Sequence, residues 1–284
     1  MRAPSPRARA ALTHAGKHGS KASTSASGSA DVLTALGASL TAVTAQEVAA
    51  FYAAPAHPTG SFVFLYAPVF HPAMAHIAPI RRALGCRTVF NVLGPLINPV
   101  DYSCAAGLEA RVLGVGRREL GPVYAATLRI LGATRALVVC GAEQLDEVSI
   151  EGYTDCWQLA GGEVREFRVH PTETFGLATH PLAAVAGGKG PQENAALVKK
   201  LLTGGMRAGE PIMDFVLVNA AALIAVAGVV EGTAEVGADG VMRGTLWTNA
   251  VAEAQRAAAD GASWECWTQF AALSQRAAAE QREL

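Results

Sequence analysis

Lys17, His18, Gly19, Ser20 and Lys21 open a segment rich in groups that bind anions. Ser27, Gly28, Ser29, Ala30 and Asp31 follow and run into an apolar stretch that predicts a helix over residues 30–38, closed by Gly37. Free amides and the positive end of a helix dipole attract phosphate, and glycine lets backbone approach it closely. An ordinary serine-rich helix cap on a loop explains the same residues equally well. A second group is Asp146 and Glu147, a few residues beyond the apolar run 135–140. Ligands of open α/β sheets bind outside the carboxyl ends of strands. Adjacent carboxylates there can hold Mg²⁺, with waters and substrate phosphates completing its shell. An isolated Asp-Glu pair reads as solvated acids in a turn. Beside a phosphate-seeking segment in the same chain, it points instead to a phosphate ester held with magnesium.

The third group begins with His71, Pro72 and Met74, continues through Arg81 and Arg82, and ends in Phe90, Asn91, Gly94, Pro95, Asn98 and Pro99. An arginine on a helix beside an aromatic, glycine- and proline-rich segment can clamp a planar carboxylate through a bidentate fork. One of the two arginines does this and the other lies on a solvated face; periodicity does not choose between them. No serine sits in a nucleophile elbow, so no covalent nucleophile is expected.

Strands and helices must alternate to position these groups. Aromatic and β-branched residues predict a buried strand over 61–67, with further strands over 111–115 and 135–140 and a β-rich stretch to Val169. Helices are expected over 72–85, 122–131, 192–202 and 213–230, with a last Ala-rich one from 249 to near the end. Thr44 and Glu47 form a capping box ahead of another helix. This alternation predicts an α/β fold, a central parallel or mixed sheet flanked by helices. Residues 1–16 hold three arginines and no acid, a composition like that of a transit peptide. They read as a disordered or partial lead-in.

Composition removes several classes. With 23 basic and 24 acidic residues the net charge is -1, which argues against nucleic acid as a partner. The most apolar window, 212–230, has spanning length but carries Asp214 and Asn219. A central carboxylate costs about 2.5–3.5 kcal/mol on insertion scales, so a buried helix is expected and no membrane contact. Five scattered cysteines without a C-x-x-C suit a reducing, cytoplasmic compartment. His71 and His76 miss a shared helical face, so no zinc site is expected.

Four blocks carry a resemblance: K-H-G-S-K through S-G-S-A-D, the H-P-A-M to G-P-L-I-N-P block, the segment around L-D-E, and the D-F-V-L-V-N-A-A-A run. In order and spacing they resemble anthranilate phosphoribosyltransferases, enzymes of tryptophan biosynthesis, from Lys17 nearly to the end. The S-G-S-A-D and L-D-E blocks are shared in part with pyrimidine nucleoside phosphorylases, whose fold is related. The resemblance implies that the amine of anthranilate displaces pyrophosphate from phosphoribosyl pyrophosphate (PRPP), with Mg²⁺ as cofactor. It implies that Lys17, Ser27, Gly28, Ser29, Ala30 and Asp31 bind PRPP, and that Asp146 and Glu147 bind the metal. His18, Ser20, Arg81 and Gly94 would line the anthranilate site. The organisation it implies is a phosphoribosyl-binding α/β domain over 17–70 and 99–284, with 71–98 as the remnant of a small helical lobe through which the family forms homodimers.

The chain departs from the family at Ser20, Lys21 and Ala26, where asparagine, arginine and lysine are usual. Lysine keeps the charge of arginine and loses the fork. The family's helical segment and G-T-G-G-D loop, upstream of K-H-G, are not in this sequence, and a first strand is expected to be short or missing. Two competing expectations follow: a non-catalytic truncated paralogue or incomplete gene model, and a pyrimidine nucleoside phosphorylase.

Overall fold

The computed structural model describes residues 14–21, 27–53, 60–84, 88–100, 110–186 and 190–283, the side chains of 75, 78, 79, 81, 82 and 91 excepted. Its strands are β1 His14–Gly19, β2 Ser61–Tyr66, β3 Arg111–Gly114, β4 Arg135–Gly141, β5 Thr154–Ala160, β6 Glu163–Val169, β7 Glu235–Val236 and β8 Met242–Arg243. The helices before β3 are α1 Ser29–Ala35, α2 Ala45–Ala53, α3 Ala67–Phe70, α4 Met74–Leu84 and α5 Phe90–Leu93. Those after it are α6 Leu120–Ile130, α7 Pro171–Phe175, α8 Pro191–Leu202, α9 Pro211–Ala227, α10 Thr245–Ala259 and α11 Ala262–Glu283. The chain forms two compact units, one of Met1–Pro99, Gly187–Gly205 and Ala258–Leu284, the other of Val100–Ala186 and Met206–Ala257.

In the first unit β1 and β2 pair in parallel, with Lys17 opposite Phe64, His18 opposite Leu65 and Gly19 opposite Tyr66. Val63, Phe64 and Leu65 are buried. Helix α11 packs across β2, Phe270 meeting Phe62 edge-on at 5.6 Å, and α1 packs on α8. The capping box forms in part. The Glu47 carboxylate accepts from both the Thr44 amide (2.9 Å) and the Thr44 hydroxyl, while the hydroxyl receives the amide of Gln46 at 3.3 Å rather than that of Glu47.

In the second unit β3 and β4 are parallel, and β5 and β6 continue the sheet antiparallel, so this sheet is mixed. Helix α6 packs on β4 and β5, and α9 on β3 and β4. With helices against it and strands on both edges, β4 is buried from Ala136 to Gly141, which explains its unbroken apolar run. The apolar window that has membrane-spanning length is α9, a helix packed within this unit. Among the described residues no helix is long and apolar enough to cross a membrane.

Two expectations need correction. The stretch 1–16 is not lead-in throughout: β1 has six residues and begins at His14, inside it. The Ala-rich C-terminal run is two helices, because Gly261 adopts φ +79° between α10 and α11, a conformation that ends a right-handed helix. Ala26, Cys86 and Cys104 lie outside the described residues.

Candidate functional site

The anion-seeking segment is built on the end of β1. Lys17 is exposed there, His18 is half-buried, and Gly19 closes the strand. A β-carbon on Gly19 would fall 2.9 Å from both Ser29 Oγ and Phe64 Cζ, so only glycine lets the strand end lie against α1. The Ala30 amide donates to the Ser20 carbonyl at 3.3 Å, which joins the two halves of the segment. The structure therefore brings Lys17, His18, Ser20, Ser29 and Ala30 together within one unit.

Not all of these side chains are available to a ligand. Ala30 is fully buried, so its methyl belongs to the core. Asp31 Oδ2 accepts the Gly28 amide at 3.0 Å, which turns its carboxylate back onto the loop. Ser29 remains exposed, and Ser27 and Gly28 are half-buried.

His71, at the end of α3, meets His18 edge-on with ring centroids 5.0 Å apart. Among the described residues its Nε2 is buried without a hydrogen-bond partner. His71 heads the H-P-A-M motif but is not among the residues that the resemblance assigns to a substrate; sequence spacing alone does not bring a residue after β2 beside one at the end of β1. Arg81 lies within α4, with its side chain outside the described set. Gly94 follows α5, and among the described residues a β-carbon there would meet nothing within 4 Å.

The acidic pair sits in the second unit, on the turn that leaves β4. Asp146 and Glu147 are exposed, whereas Val148, Ser149 and Ile150 immediately after them are fully buried. Gly141 donates to the Leu145 carbonyl at 2.8 Å, and Gln144 completes the bend with φ +61°. The Ser149 amide donates to Thr154 Oγ1 at 2.8 Å, and its hydroxyl to Glu143 Oε1 at 3.1 Å. Beneath the turn, a β-carbon on Gly114 would lie 1.5 Å from the Asp146 carbonyl oxygen. Asn219 of α9 accepts the Val148 amide at 2.9 Å and donates to the Val148 carbonyl at 3.1 Å. The turn is thus a braced platform that presents two carboxylates to solvent.

Among the described residues no three His, Cys, Asp or Glu side chains gather as a metal cage. Two adjacent carboxylates fit a hard cation that keeps waters and shares substrate phosphates, rather than an ion enclosed by protein.

Comparison with known proteins agrees with this architecture. The pattern of the glycosyl transferase family, a/b domain, matches residues 5–263. The anthranilate phosphoribosyltransferase of Schizosaccharomyces pombe is 45% identical over 219 residues, 77% of this chain and 58% of that protein. That of Xanthomonas campestris pv. campestris is 38% identical over 264 residues, 93% of this chain and 68% of its own length. The solved anthranilate phosphoribosyltransferase from Saccharomyces cerevisiae in complex with PRPP and Mg superimposes with a TM-score of 0.79 at 32% identity. That match covers 95% of this chain and 68% of the yeast chain. The chain spans about six-tenths of the length of the S. pombe relative. Matched by the family pattern over most of its residues and by relatives at these identities, the chain belongs to the anthranilate phosphoribosyltransferase family.

Proposed function

We propose that this chain transfers the phosphoribosyl group of PRPP to anthranilate and releases pyrophosphate, a reaction of tryptophan biosynthesis. The observation that carries the reading is the braced turn after β4, where Asp146 and Glu147 stand exposed on a backbone held from below and behind. The likeness to the S. pombe and X. campestris enzymes supports the choice of substrates.

In this reading the amine nitrogen attacks the anomeric carbon, the bond to the pyrophosphate oxygen breaks, and the amine loses its proton to solvent. Positive charge develops on the ribose and negative charge on the leaving group, so the protein's task is positioning and electrostatic stabilisation. Lys17, Ser27, Gly28 and Ser29 hold phosphate oxygens. Ala30 contributes packing, and Asp31 contributes the shape of the loop, through its bond to the Gly28 amide. His18, Ser20, Arg81 and Gly94 take the anthranilate, with Arg81 on its carboxylate. Asp146 and Glu147 hold Mg²⁺, which when bound screens the pyrophosphate and makes it a better leaving group. The buried, unpaired thiols of Cys140 and Cys156 agree with a reducing cytoplasmic setting. The family's homodimer belongs to the same proposal, and sedimentation of the purified chain tests it.

The test is the loss of anthranilate fluorescence when the chain is mixed with PRPP and Mg²⁺. Consumption by the wild-type chain that disappears in Arg81→Ala and in Asp146→Ala supports the reading. A folded wild-type chain that leaves anthranilate untouched overturns it.

A further inference from the structure

We infer that Asn219 is the positioning residue of the acidic turn: its carboxamide grips both backbone groups of Val148 and so aims Asp146 and Glu147. The inference rests on the proposal that this pair binds Mg²⁺.

The residue after Glu147 is fully buried, and its peptide groups need partners away from water. Asn219 supplies both. Oδ1 accepts the Val148 amide at 2.9 Å, while Nδ2 donates to the Val148 carbonyl at 3.1 Å and to the Phe215 carbonyl, one turn back on α9, at 3.0 Å. These partners fix the amide's orientation. Rotating it by half a turn would set an N–H against an N–H and an oxygen against two carbonyls. No other side chain type of this size offers one acceptor and two donors in a plane. Aspartate lacks the donors, leucine lacks both, and glutamine is longer by a methylene.

Geometry makes this grip consequential for the carboxylates. Helix α9 packs on β3 and β4, so Asn219 is anchored to the sheet from which the turn emerges. Gly114, at the end of β3, lies directly under the Asp146 backbone. Asp146 and Glu147 are therefore confined between a steric stop on one side and a bidentate hydrogen-bonded clamp on the other. Losing the clamp frees the downstream end of the pair while both carboxylates remain chemically intact. Partners that orient metal ligands without touching the metal commonly alter affinity by about 10- to 100-fold.

Two measurements on the purified chain test the inference. Hydrogen exchange of the wild-type protein should show the Val148 amide protected to the level of β4; exchange as fast as that of an open turn overturns the clamp without any variant. Manganese binding, read by the electron paramagnetic resonance of free Mn²⁺ in the presence of PRPP, is then compared among variants that still melt cooperatively. Asn219→Leu should weaken Mn²⁺ by about tenfold, leave PRPP binding without metal unchanged, and accelerate Val148 exchange. Asn219→Ala serves if the leucine variant does not fold. Asp146→Asn should weaken Mn²⁺ at least as much, with Val148 still protected. Wild-type Mn²⁺ affinity in the Asn219 variants, beside a weakened Asp146→Asn, overturns the positioning role alone. Wild-type affinity in Asp146→Asn overturns the metal assignment, and the positioning role with it.

Discussion

Individual side chains in this protein carry tasks that their types permit but do not announce. Asp214 and Asn219 are polar interruptions of an apolar window. In the fold each is a latch. Asp214 is fully buried, its Oδ2 2.8 Å from His180 Nε2 and its Oδ1 accepting the Gly209 amide at 2.8 Å. Removing one partner of such a pair leaves the others without compensation, so Asp214→Ala should cost about 3 kcal/mol, read as a lower urea midpoint. Asp214→Asn, which retains an oxygen for Gly209, should cost less. At the acidic turn, Glu147→Gln should lower transfer by about tenfold or more, at least as much as loss of an outer partner does, and raise the Mg²⁺ needed for half-maximal rate. Gly114→Ala reaches the same turn from below. Its methyl has no space against the Asp146 carbonyl, so activity should fall although no functional group has been removed.

At the scale of elements, the helix from Ala45 to Ala53 follows local rules closely enough to test them. Hydrogen bonds from the Thr44 hydroxyl and amide hold the Glu47 carboxyl below its usual range. Thr44→Ala should cost about 1 kcal/mol, as helix caps do. On the same helix, burial pushes the Tyr52 phenol up from its ordinary 10 to about 12. The folded chain holds that proton more tightly than the unfolded chain, so its contribution to stability is intact below pH 10. It is lost as pH rises toward 12, and Tyr52→Phe should remove this part of the alkaline destabilisation, followed by tyrosinate absorbance and melting. Elsewhere local rules fall short. Ala-rich sequence on both sides of Gly261 reads as one helix, since a lone glycine inside a helical pattern is tolerated. Here Asp260 accepts the Ala262 amide at 3.0 Å and Gly261 turns left-handed, so the run divides. In the same way β1 is not legible in the sequence, because His14, Ala15, Gly16 and Lys17 have little strand propensity. Parallel pairing with β2 makes the strand, and that contact lies 47 residues away for His14 and Ser61.

For the molecule as a whole, the cysteines offer a simple readout of integrity. Cys140 and Cys156 are buried, and burial pushes both thiols up, so neither offers a thiolate at neutral pH. Alkylation followed by mass spectrometry should leave both unmodified in the native chain and modify them only on unfolding, while the partly exposed Cys266 reacts earlier. Sequence by itself determined the α/β class, the buried β4, the apolar α9 and the residue types of the anion-seeking and acidic segments. These are consequences of periodicity, cap chemistry and charge, all local along the chain. The tertiary structure decided which of those residues remain free for a ligand. It placed the Ala30 side chain in the core, turned Asp31 onto its own loop, set His71 against His18, and gave Asn219 to Val148. Each of these depends on where a distant backbone or ring arrives, and a hydrogen bond or close contact is decided within a few tenths of an ångström that no spacing along a sequence encodes.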